Sequence, residues 1–252
     1  MNISDAPLPP ARGLDRIDAI LTAVEDGART TASVAERTGL HRATAHRLVK
    51  DLAQRGYLAH TPGGYVLGPR ILRLATTAMR ELPLRSIAEP VLQRLSETTG
   101  ESTQLYLLSG DRRICVAAVQ SDSELRTIVE VGSSLPLTAG SSGKVFLAYL
   151  PDAVAASLIA GARPLTDRTP TGEKLEEQVI LARKRGWAMS SGEREPGVGS
   201  VSAPILDRLG SLLGVISVSA PVSRLSRGSA RRYVPSVTSA AKEIERMLGA
   251  AG

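Results

Sequence analysis

Hydroxyl side chains next to glycines are the most concentrated chemical feature of the C-terminal half of this sequence. Ser217 and Ser219 alternate along an apolar run, so on a β-strand both side chains lie on the same face. Hydroxyls on an inward face need hydrogen-bond partners, and a small polar ligand is one such partner. Residues 139–143 precede a helical pattern, so their backbone N–H groups favour a carboxylate or a similar anion. The candidates for this binding site are Ser141, Ser142, Ser190, Ser200, Ser217 and Ser219.

The second chemical feature is a basic stretch between His41 and His60, which holds all three histidines and four Lys or Arg residues against Asp51 alone. Within it an arginine, a histidine and a lysine follow at spacings of four, so they share one face of a helix, opposite two leucines. Arginine binds guanine edges in DNA, histidine and threonine contact base edges or phosphate, and the other basic residues fit phosphate contacts. The candidates for DNA contact are His41, Arg42, Thr44, His46, Arg47, Lys50 and, in a following turn, Gly63 and Gly64.

The elements that position the basic face follow from periodicity and turn signals. Apolar spacing of three and four predicts helices over 13–24, 30–39 and 41–55. Strands over 57–60 and 65–67 flank a Pro-Gly-Gly turn, which predicts a hairpin. This order is that of a winged helix-turn-helix. We expect DNA rather than RNA as the partner, because a helix fits the B-form major groove and aromatic residues make up only 3% of the chain.

The C-terminal half mixes helices and strands without regular alternation, which predicts an α+β domain. We expect a flexible tail over 1–12, a winged helix-turn-helix domain over 13–68, a linker helix over 69–83 and an effector-binding domain over 84–252. The linker helix pattern covers 69–82, and the further predicted helices cover 84–100, 143–150, 152–160, 173–185 and 229–248. The predicted strands cover 102–108, 113–119, 127–131, 187–190, 198–205 and 212–219.

Composition limits the classes of function. A chain of 252 residues has room for two domains, and 42% hydrophobic with 22% charged residues provide a core for each. No apolar run approaches the roughly 20 residues that span a bilayer, and residues 1–12 lack the apolar core of a secretion signal. The single cysteine, Cys115, excludes an internal disulfide and a cysteine-based zinc site. We therefore expect a cytoplasmic protein without metal, cofactor or membrane partner, and the net charge of +6 fits a polyanionic partner.

Residues 34–72 resemble the N-terminal signature of the isocitrate-lyase-regulator (IclR) family of bacterial transcription regulators. In that signature a Gly-Leu turn precedes a recognition helix with Thr-x-His-Arg-Leu, and Gly-Tyr and Tyr-x-Leu-Gly-Pro follow. His41 departs from it, because the family often has proline there; proline is favoured at a helix start but not required. The resemblance covers residues 13–249, and its C-terminal stretches are LPLTAGSSGKVFLAYL, RGWAMSSGEREPGVGSVSAPI and LLGVISVSAP.

The resemblance implies a ligand-responsive regulator that binds operator DNA and carries a GAF-like domain for a small-molecule effector. Some relatives have an acidic residue at the position of Ser190 and a cysteine at that of Ser200, so the ligand of this chain need not be theirs. In the family the effector pocket is lined by the segment or positions that match Ser141, Ser142, Ser190, Ser200, Ser217 and Ser219.

The resemblance also implies homodimers through the N-terminal part, often paired into a dimer of dimers. Residues 99–119 and 186–204 resemble, more narrowly, the actinobacterial subgroup that controls leucine and other amino-acid metabolism. Neither the effector nor the direction of regulation follows from these residues.

An enzyme is the alternative function, as a metabolite-processing domain with an appended DNA-binding head. Glu193 and Glu195 look like a carboxylate pair for acid–base chemistry, and Cys115 looks like a nucleophile. No histidine lies in this half to activate Cys115, so a core thiol is the simpler interpretation. The GSSGK stretch is not a phosphate-binding loop, because its spacing is short and Val145 replaces Ser or Thr. We therefore expect no catalytic residues.

Overall fold

A computed structural model describes residues 13–226 and 228–250, and the expected tail over 1–12 lies outside the described residues. The chain divides into two compact units, the first ending at Glu81 and the second beginning at Leu82.

The first unit has the predicted order of helices followed by a hairpin. The side chain of Thr30 accepts a hydrogen bond from the Ser33 backbone, and Ser33 Oγ accepts one from the Thr30 backbone, which caps the second helix. Gly39 ends that helix in the left-handed conformation. The elements are α1 (Gly13–Glu25), α2 (Thr31–Thr38), α3 (Arg42–Gln54), β1 (Leu58–Thr61), β2 (Gly64–Leu67) and α4 (Pro69–Arg80).

Apolar side chains from the three helices and the hairpin form the core of this unit. Ile20 of α1, Val34 of α2, Val49 of α3 and Leu58 of β1 are fully or almost fully buried. Burying the inner face of α3 leaves its basic face outside.

Gly64 allows the hairpin backbone to approach the segment between α1 and α2 closely. Its φ of +104° lies in the region that favours glycine, and a Cβ there would lie 2.2 Å from the Arg29 carbonyl oxygen. This close approach lets the Tyr65 backbone N–H donate to the same Arg29 carbonyl at 2.8 Å.

The second unit is a six-stranded antiparallel sheet between two layers of helices, which confirms the α+β prediction. The strand order is β5-β4-β3-β8-β7-β6. Helices α5 and α9 pack on one face, while α6 packs on the other and α8 and α7 continue that layer. The elements are α5 (Pro83–Thr99), β3 (Ser102–Ser109), β4 (Arg112–Val119), β5 (Ser134–Pro136), α6 (Ser141–Tyr149), α7 (Asp152–Ala160), α8 (Gly172–Arg185), β6 (Ala188–Ser191), β7 (Val198–Leu206), β8 (Leu212–Pro221) and α9 (Val234–Ala250).

Two predicted elements were wrong in position. Residues 127–131 form no strand; Thr127 and Val129 point inward and Ile128 outward, so the alternation is real, but this segment pairs with no neighbouring strand. The short edge strand lies instead at Ser134–Pro136. The last helix was predicted from residue 229, yet α9 begins at Val234, because Pro235 suits a first helical turn but not a helix interior.

Candidate functional sites

His41 caps the helix that carries the basic face. Its ring Nδ1 accepts a hydrogen bond from the Ala43 backbone N–H at 3.3 Å, and the helix proper starts at Arg42. A side-chain acceptor here satisfies one of the free N–H groups that every helix start leaves. The structure therefore gives His41, which the sequence singles out for DNA contact, a capping role as well.

The outer face of α3 carries uncompensated positive charge. Arg42, His46, Arg47 and Lys50 are exposed, and Thr44 is half-buried beside them. The ion pairs among the described residues all lie elsewhere in the chain. The guanidinium and ammonium groups of this face are thus available to a polyanion such as DNA.

The tip of the hairpin presents little side-chain bulk. Gly63 is exposed in the two-residue turn between the strands, whereas Gly64 is only partly exposed and serves the contact with Arg29. His60 and Tyr65 pack edge to face with ring centroids 5.0 Å apart, which stiffens the hairpin behind its tip.

Strand register brings the serines of the second unit together on one face of the sheet. Ser219 of β8 pairs with Ser200 of β7, which pairs in turn with Ser190 of β6. In the adjacent row Ser217 pairs with Ser202. Residues of one register row share a face, so separate segments of sequence converge on one place.

Four of these serines form a continuous chain of hydrogen bonds with Ser141 at the start of α6: Ser190, Ser200, Ser202 and Ser217. Ser190 Oγ lies 2.8 Å from Ser200 Oγ, and Ser200 Oγ lies 2.6 Å from Ser141 Oγ. Ser141 Oγ also lies 2.6 Å from Ser202 Oγ, which donates to Ser217 Oγ at 2.9 Å. Sequence reasoning missed Ser202, although its spacing of two from Ser200 on a strand was a usable signal.

A small cavity of about 20 Å³ lies beside this chain. Five of the six predicted serines line it, and the sixth, Ser141, lies behind them in the hydrogen-bonded chain. The volume holds about one water molecule. The lining residues are Tyr106, Arg113, Val129, Gly140, Ser142, Ser190, Arg194, Val198, Ser200, Ser217 and Ser219.

Arg113 is a buried cation in the wall of the cavity that sequence reasoning missed. It is 2% exposed, and its guanidinium donates to the carbonyls of Pro136 and Ala139. Its Nε has no hydrogen-bond partner among the described residues. Gly143 makes room for it, because a Cβ there would lie 2.8 Å from Arg113 Nη1 and 2.1 Å from the Leu137 carbonyl oxygen. The signal in the sequence was the alternation that places Arg113 in phase with the inward Cys115.

The charge of the cavity lining is positive. Burial lowers the pKa of Arg113 to about 10, and the nearby Arg194 lowers it as well, so the Arg113 guanidinium remains charged at neutral pH. Burial raises the pKa of Tyr106 to about 12, so its phenol is neutral. The described lining includes no carboxylate, and Arg194 forms its ion pair, at 3.2 Å, with the exposed Glu195. An anionic ligand complements such a lining.

Both carboxylate oxygens of Glu193 are hydrogen-bonded to protein groups, which argues against Glu193 and Glu195 as a catalytic carboxylate pair. Its Oε1 accepts from Lys144 Nζ at 2.6 Å, and its Oε2 accepts from the Gly140 backbone N–H at 3.3 Å. Glu195, by contrast, is largely exposed. The two glutamates therefore do not face one substrate.

Cys115 is a core thiol. Its side chain is fully buried, and burial raises its pKa to about 12. A protonated, inaccessible thiol is a poor nucleophile. Across the residues that the structure describes, no group of three or more His, Cys, Asp or Glu side chains is placed to hold a metal ion. The described helices also include none long and apolar enough to cross a membrane.

Two family models match the chain, one to each unit. The model described as IclR helix-turn-helix domain matches residues 13–62, and the model described as bacterial transcriptional regulator IclR C-terminal matches residues 76–246.

Individual relatives agree. The chain is 32% identical to the glycerol operon regulatory protein of Streptomyces coelicolor, over 95% of this chain and 97% of that protein. It is 33% identical to the transcriptional regulator BhcR of Paracoccus denitrificans, over 92% and 84% of the two chains. A solved IclR homologue of Microbacterium hydrocarbonoxydans, complexed with 4-hydroxybenzoate, matches with a TM-score of 0.78 and 25% identity over 94% of this chain and 99% of that one. The chain therefore belongs to the IclR family of bacterial transcriptional regulators, with a helix-turn-helix DNA-binding domain and a C-terminal ligand-binding domain, and it is not an enzyme.

Proposed function

We propose that this regulator binds its effector in the cavity beside the serine chain and that occupancy of the cavity controls operator binding by α3 and the hairpin. The observation that carries the proposal is the convergence of five predicted serines and two arginines on one small cavity. The effector is a small polar molecule with a carboxylate or carbonyl group, and its polar groups contact Ser142, Ser200, Ser217, Ser219 and the backbone N–H groups that open α6.

Ligand binding must reshape the cavity. A space of about 20 Å³ is too small for a metabolite, so this proposal requires the cavity to be larger when the effector is bound. A ligand that favours one of two forms shifts the balance between them. The carboxylate named with the Microbacterium homologue, 4-hydroxybenzoate, supports an acidic effector for this chain too.

On the DNA side, Arg42 and Thr44 are assigned to base edges and His46 to bases or phosphate. Arg47 and Lys50 are assigned to phosphates, where they set register. The exposed Gly63 and the adjoining Gly64 allow the hairpin to approach the DNA backbone or minor groove closely.

A homodimer through α4 fits the first unit. All twelve residues of α4 remain at least partly exposed, although the helix is strongly amphipathic. Leu72 is 69% and Leu74 50% exposed. A second copy of α4 would cover this apolar face and place two recognition helices for the two halves of an operator. The same proposal includes the pairing of two such dimers and a cytoplasmic location next to the chromosome. It also places the chain in the subgroup that controls amino-acid metabolism.

Two measurements with the full-length protein test it. Purified protein selects fragments from genomic DNA, which yields an operator, and a thermal-shift screen against small acids identifies compounds that stabilise the second unit. We expect a stabilising compound to change operator affinity. If compounds that bind the protein leave operator affinity unchanged, the proposal is wrong.

A further inference from the structure

The serine chain has a direction, because each hydroxyl has one proton to donate. Ser217 Oγ lies 3.3 Å from the Val201 carbonyl, which can only accept, so Ser217 donates there. The proton between Ser202 and Ser217 must then come from Ser202.

The same rule fixes the rest of the chain. The Ser202 hydroxyl already donates its proton to Ser217, so Ser141 donates to Ser202. The Ser141 proton is then engaged with Ser202, so Ser200 donates to Ser141. By the same step Ser190 donates to Ser200. The order of donation is Ser190 to Ser200 to Ser141 to Ser202 to Ser217 to the Val201 carbonyl.

This direction makes one wall of the cavity an acceptor. Ser190, Ser200 and Ser217 line the cavity, and each has already donated its proton to a protein group. Only their lone pairs remain for a ligand, so a ligand atom next to them has to donate a hydrogen bond. A ligand oxygen that can only accept would face lone pairs there, at the cost of an unsatisfied buried polar group.

Other groups of the lining are donors. Arg113 Nε is buried and has no partner in the part of the chain that the structure describes, and Arg194 lines the same cavity. Ser219 Oγ accepts from Gln104 Nε2 at 2.8 Å, which leaves its own proton for a ligand. These groups suit an anion.

We propose that the effector is a small hydroxy acid, whose carboxylate binds Arg113, Arg194 and Ser219 and whose hydroxyl donates to the acceptor wall formed by Ser190, Ser200 and Ser217. The inference rests on the proposed function and narrows its ligand class. An amino acid also combines an anion with a donor, but its ammonium would lie near two guanidinium groups with no carboxylate in the described lining to balance it. A keto acid lacks the donor.

Five related compounds test the hydroxy-acid assignment. Lactate, pyruvate, alanine and propionate differ only in the group on the central carbon. Lactamide differs from lactate by the loss of the negative charge. We expect the full-length protein to bind lactate about tenfold or more tightly than each of the other four, as judged by calorimetry and thermal shift. Pyruvate, propionate, alanine or lactamide binding as tightly as lactate would overturn the inference, as would undetectable binding of lactate.

A variant behind the cavity tests the direction itself. Ser202→Ala removes the acceptor for Ser141, so Ser141 donates to Ser200, Ser200 to Ser190, and Ser190 gains a free proton towards the ligand. We expect the preference for lactate over pyruvate to fall about tenfold or to reverse. Ser96→Ala is the control, because Ser96 is also a buried serine and donates to the Glu101 carbonyl elsewhere. An unchanged preference in folded Ser202→Ala protein contradicts the proposed direction.

Failure of this inference is distinguishable from failure of the proposed function. If some other class of acid binds, alters operator affinity and loses that effect when Ser217 and Ser219 are replaced, the cavity is the effector site and only the hydroxy-acid assignment is wrong. If lactate binds as expected but never alters operator affinity, the hydroxy-acid site stands and the regulatory proposal fails.

Discussion

Lys144 Nζ lies 2.6 Å from Glu193 Oε1, and both side chains are almost fully buried, at 1% and 3% exposure. Lys144 also donates to the Met189 carbonyl at 2.8 Å, so it ties α6 to β6 and to the turn after it. That turn carries Arg194 into the cavity wall. The ion pair therefore holds two of the segments that line the cavity beside the serine chain.

Breaking this pair should destabilise the second unit strongly. Lys144→Met leaves the Glu193 carboxylate buried without its cation, and we expect the free energy of unfolding to fall by about 3–5 kcal/mol in urea titrations. Arg94→Ala is the control, because the Arg94–Glu243 pair has the same 2.6 Å separation but is 53% and 37% exposed. Its loss should cost at most about 1 kcal/mol. If the two variants lost equal free energies of unfolding, burial would not determine how much the Lys144–Glu193 pair contributes to stability.

Arg42 and Arg47 should separate base reading from phosphate binding. Arg42→Ala should cost about 1–3 kcal/mol on the operator and less on random DNA. Arg47→Ala should weaken binding to both and lower the slope of log affinity against log salt by about 1. Fluorescence anisotropy across a salt series measures both quantities.

Arg163→Ala is the control for these two variants, since Arg163 is an exposed arginine of the second unit. It should leave both affinity and slope unchanged. Equal losses on operator and random DNA for Arg42→Ala, or an unchanged slope for Arg47→Ala, would show that the role of that residue is assigned wrongly.

A charge on the apolar face of α4 should break the dimer. Leu72→Glu places a carboxylate where a second α4 would pack, and we expect analytical ultracentrifugation to show a shift towards smaller species. Operator affinity should fall about a hundredfold, because two linked heads bind far better than one. Leu209→Glu, at a leucine that is 91% exposed in the second unit, should change neither property. A Leu72→Glu protein of unchanged mass in solution would place the dimer interface elsewhere.

The first unit was predictable element by element because its signals are local. The capping hydroxyl of Thr30, the left-handed Gly39 and the apolar spacing of α3 each act within a few residues. Local signals failed where pairing decides the outcome. Residues 127–131 alternate like a strand, but the adjacent place beside β4 is taken by Ser134–Pro136.

The candidate ligand site also combines residues that local patterns reveal with residues that they do not. The serines were found because hydroxyls beside glycines and on alternating strand positions stand out in the sequence. Arg113 was missed because an arginine at a strand start is usually exposed, and only the long-range approach of Gly143 and the Ala139 carbonyl buries it. The direction of the serine chain depends on distances between three strands and a helix, which no local pattern contains.

Cys115 should be unreactive in the folded protein. Its pKa of about 12 and full burial predict no reaction with a thiol reagent at pH 8 until the protein unfolds, when one thiol per chain reacts. The folded pKa lies above the unfolded value of about 8.5, so the thiol contributes stability below that pH. This contribution is lost as pH rises towards 12. Cys115→Ala should therefore lose less stability than the parent over this range, and rapid labelling of native protein would contradict the assignment as a core thiol.

Removing two hydroxyls from β8 should uncouple ligand from DNA. Ser217→Val with Ser219→Val nearly keeps side-chain shape but removes the end of the serine chain and the partner of Gln104 Nε2. Each orphaned group should cost about 1–3 kcal/mol of stability, and ligand-free operator binding should persist. Thr103→Val is a matched control, because Thr103 is a buried residue of β3 whose hydroxyl donates to the Leu92 carbonyl on the other face of the sheet.

We expect the double variant to lose the effect of ligand on operator affinity, while Thr103→Val keeps it. Coupling between two sites is reciprocal, so operator DNA should also stop changing ligand affinity in the double variant. Calorimetric titrations of ligand, with and without operator, measure this directly. If Ser217 and Ser219 contact the effector, their replacement must also lower the affinity of the protein for the ligand itself. A double variant that binds ligand as tightly as the parent would place the effector site outside this cavity.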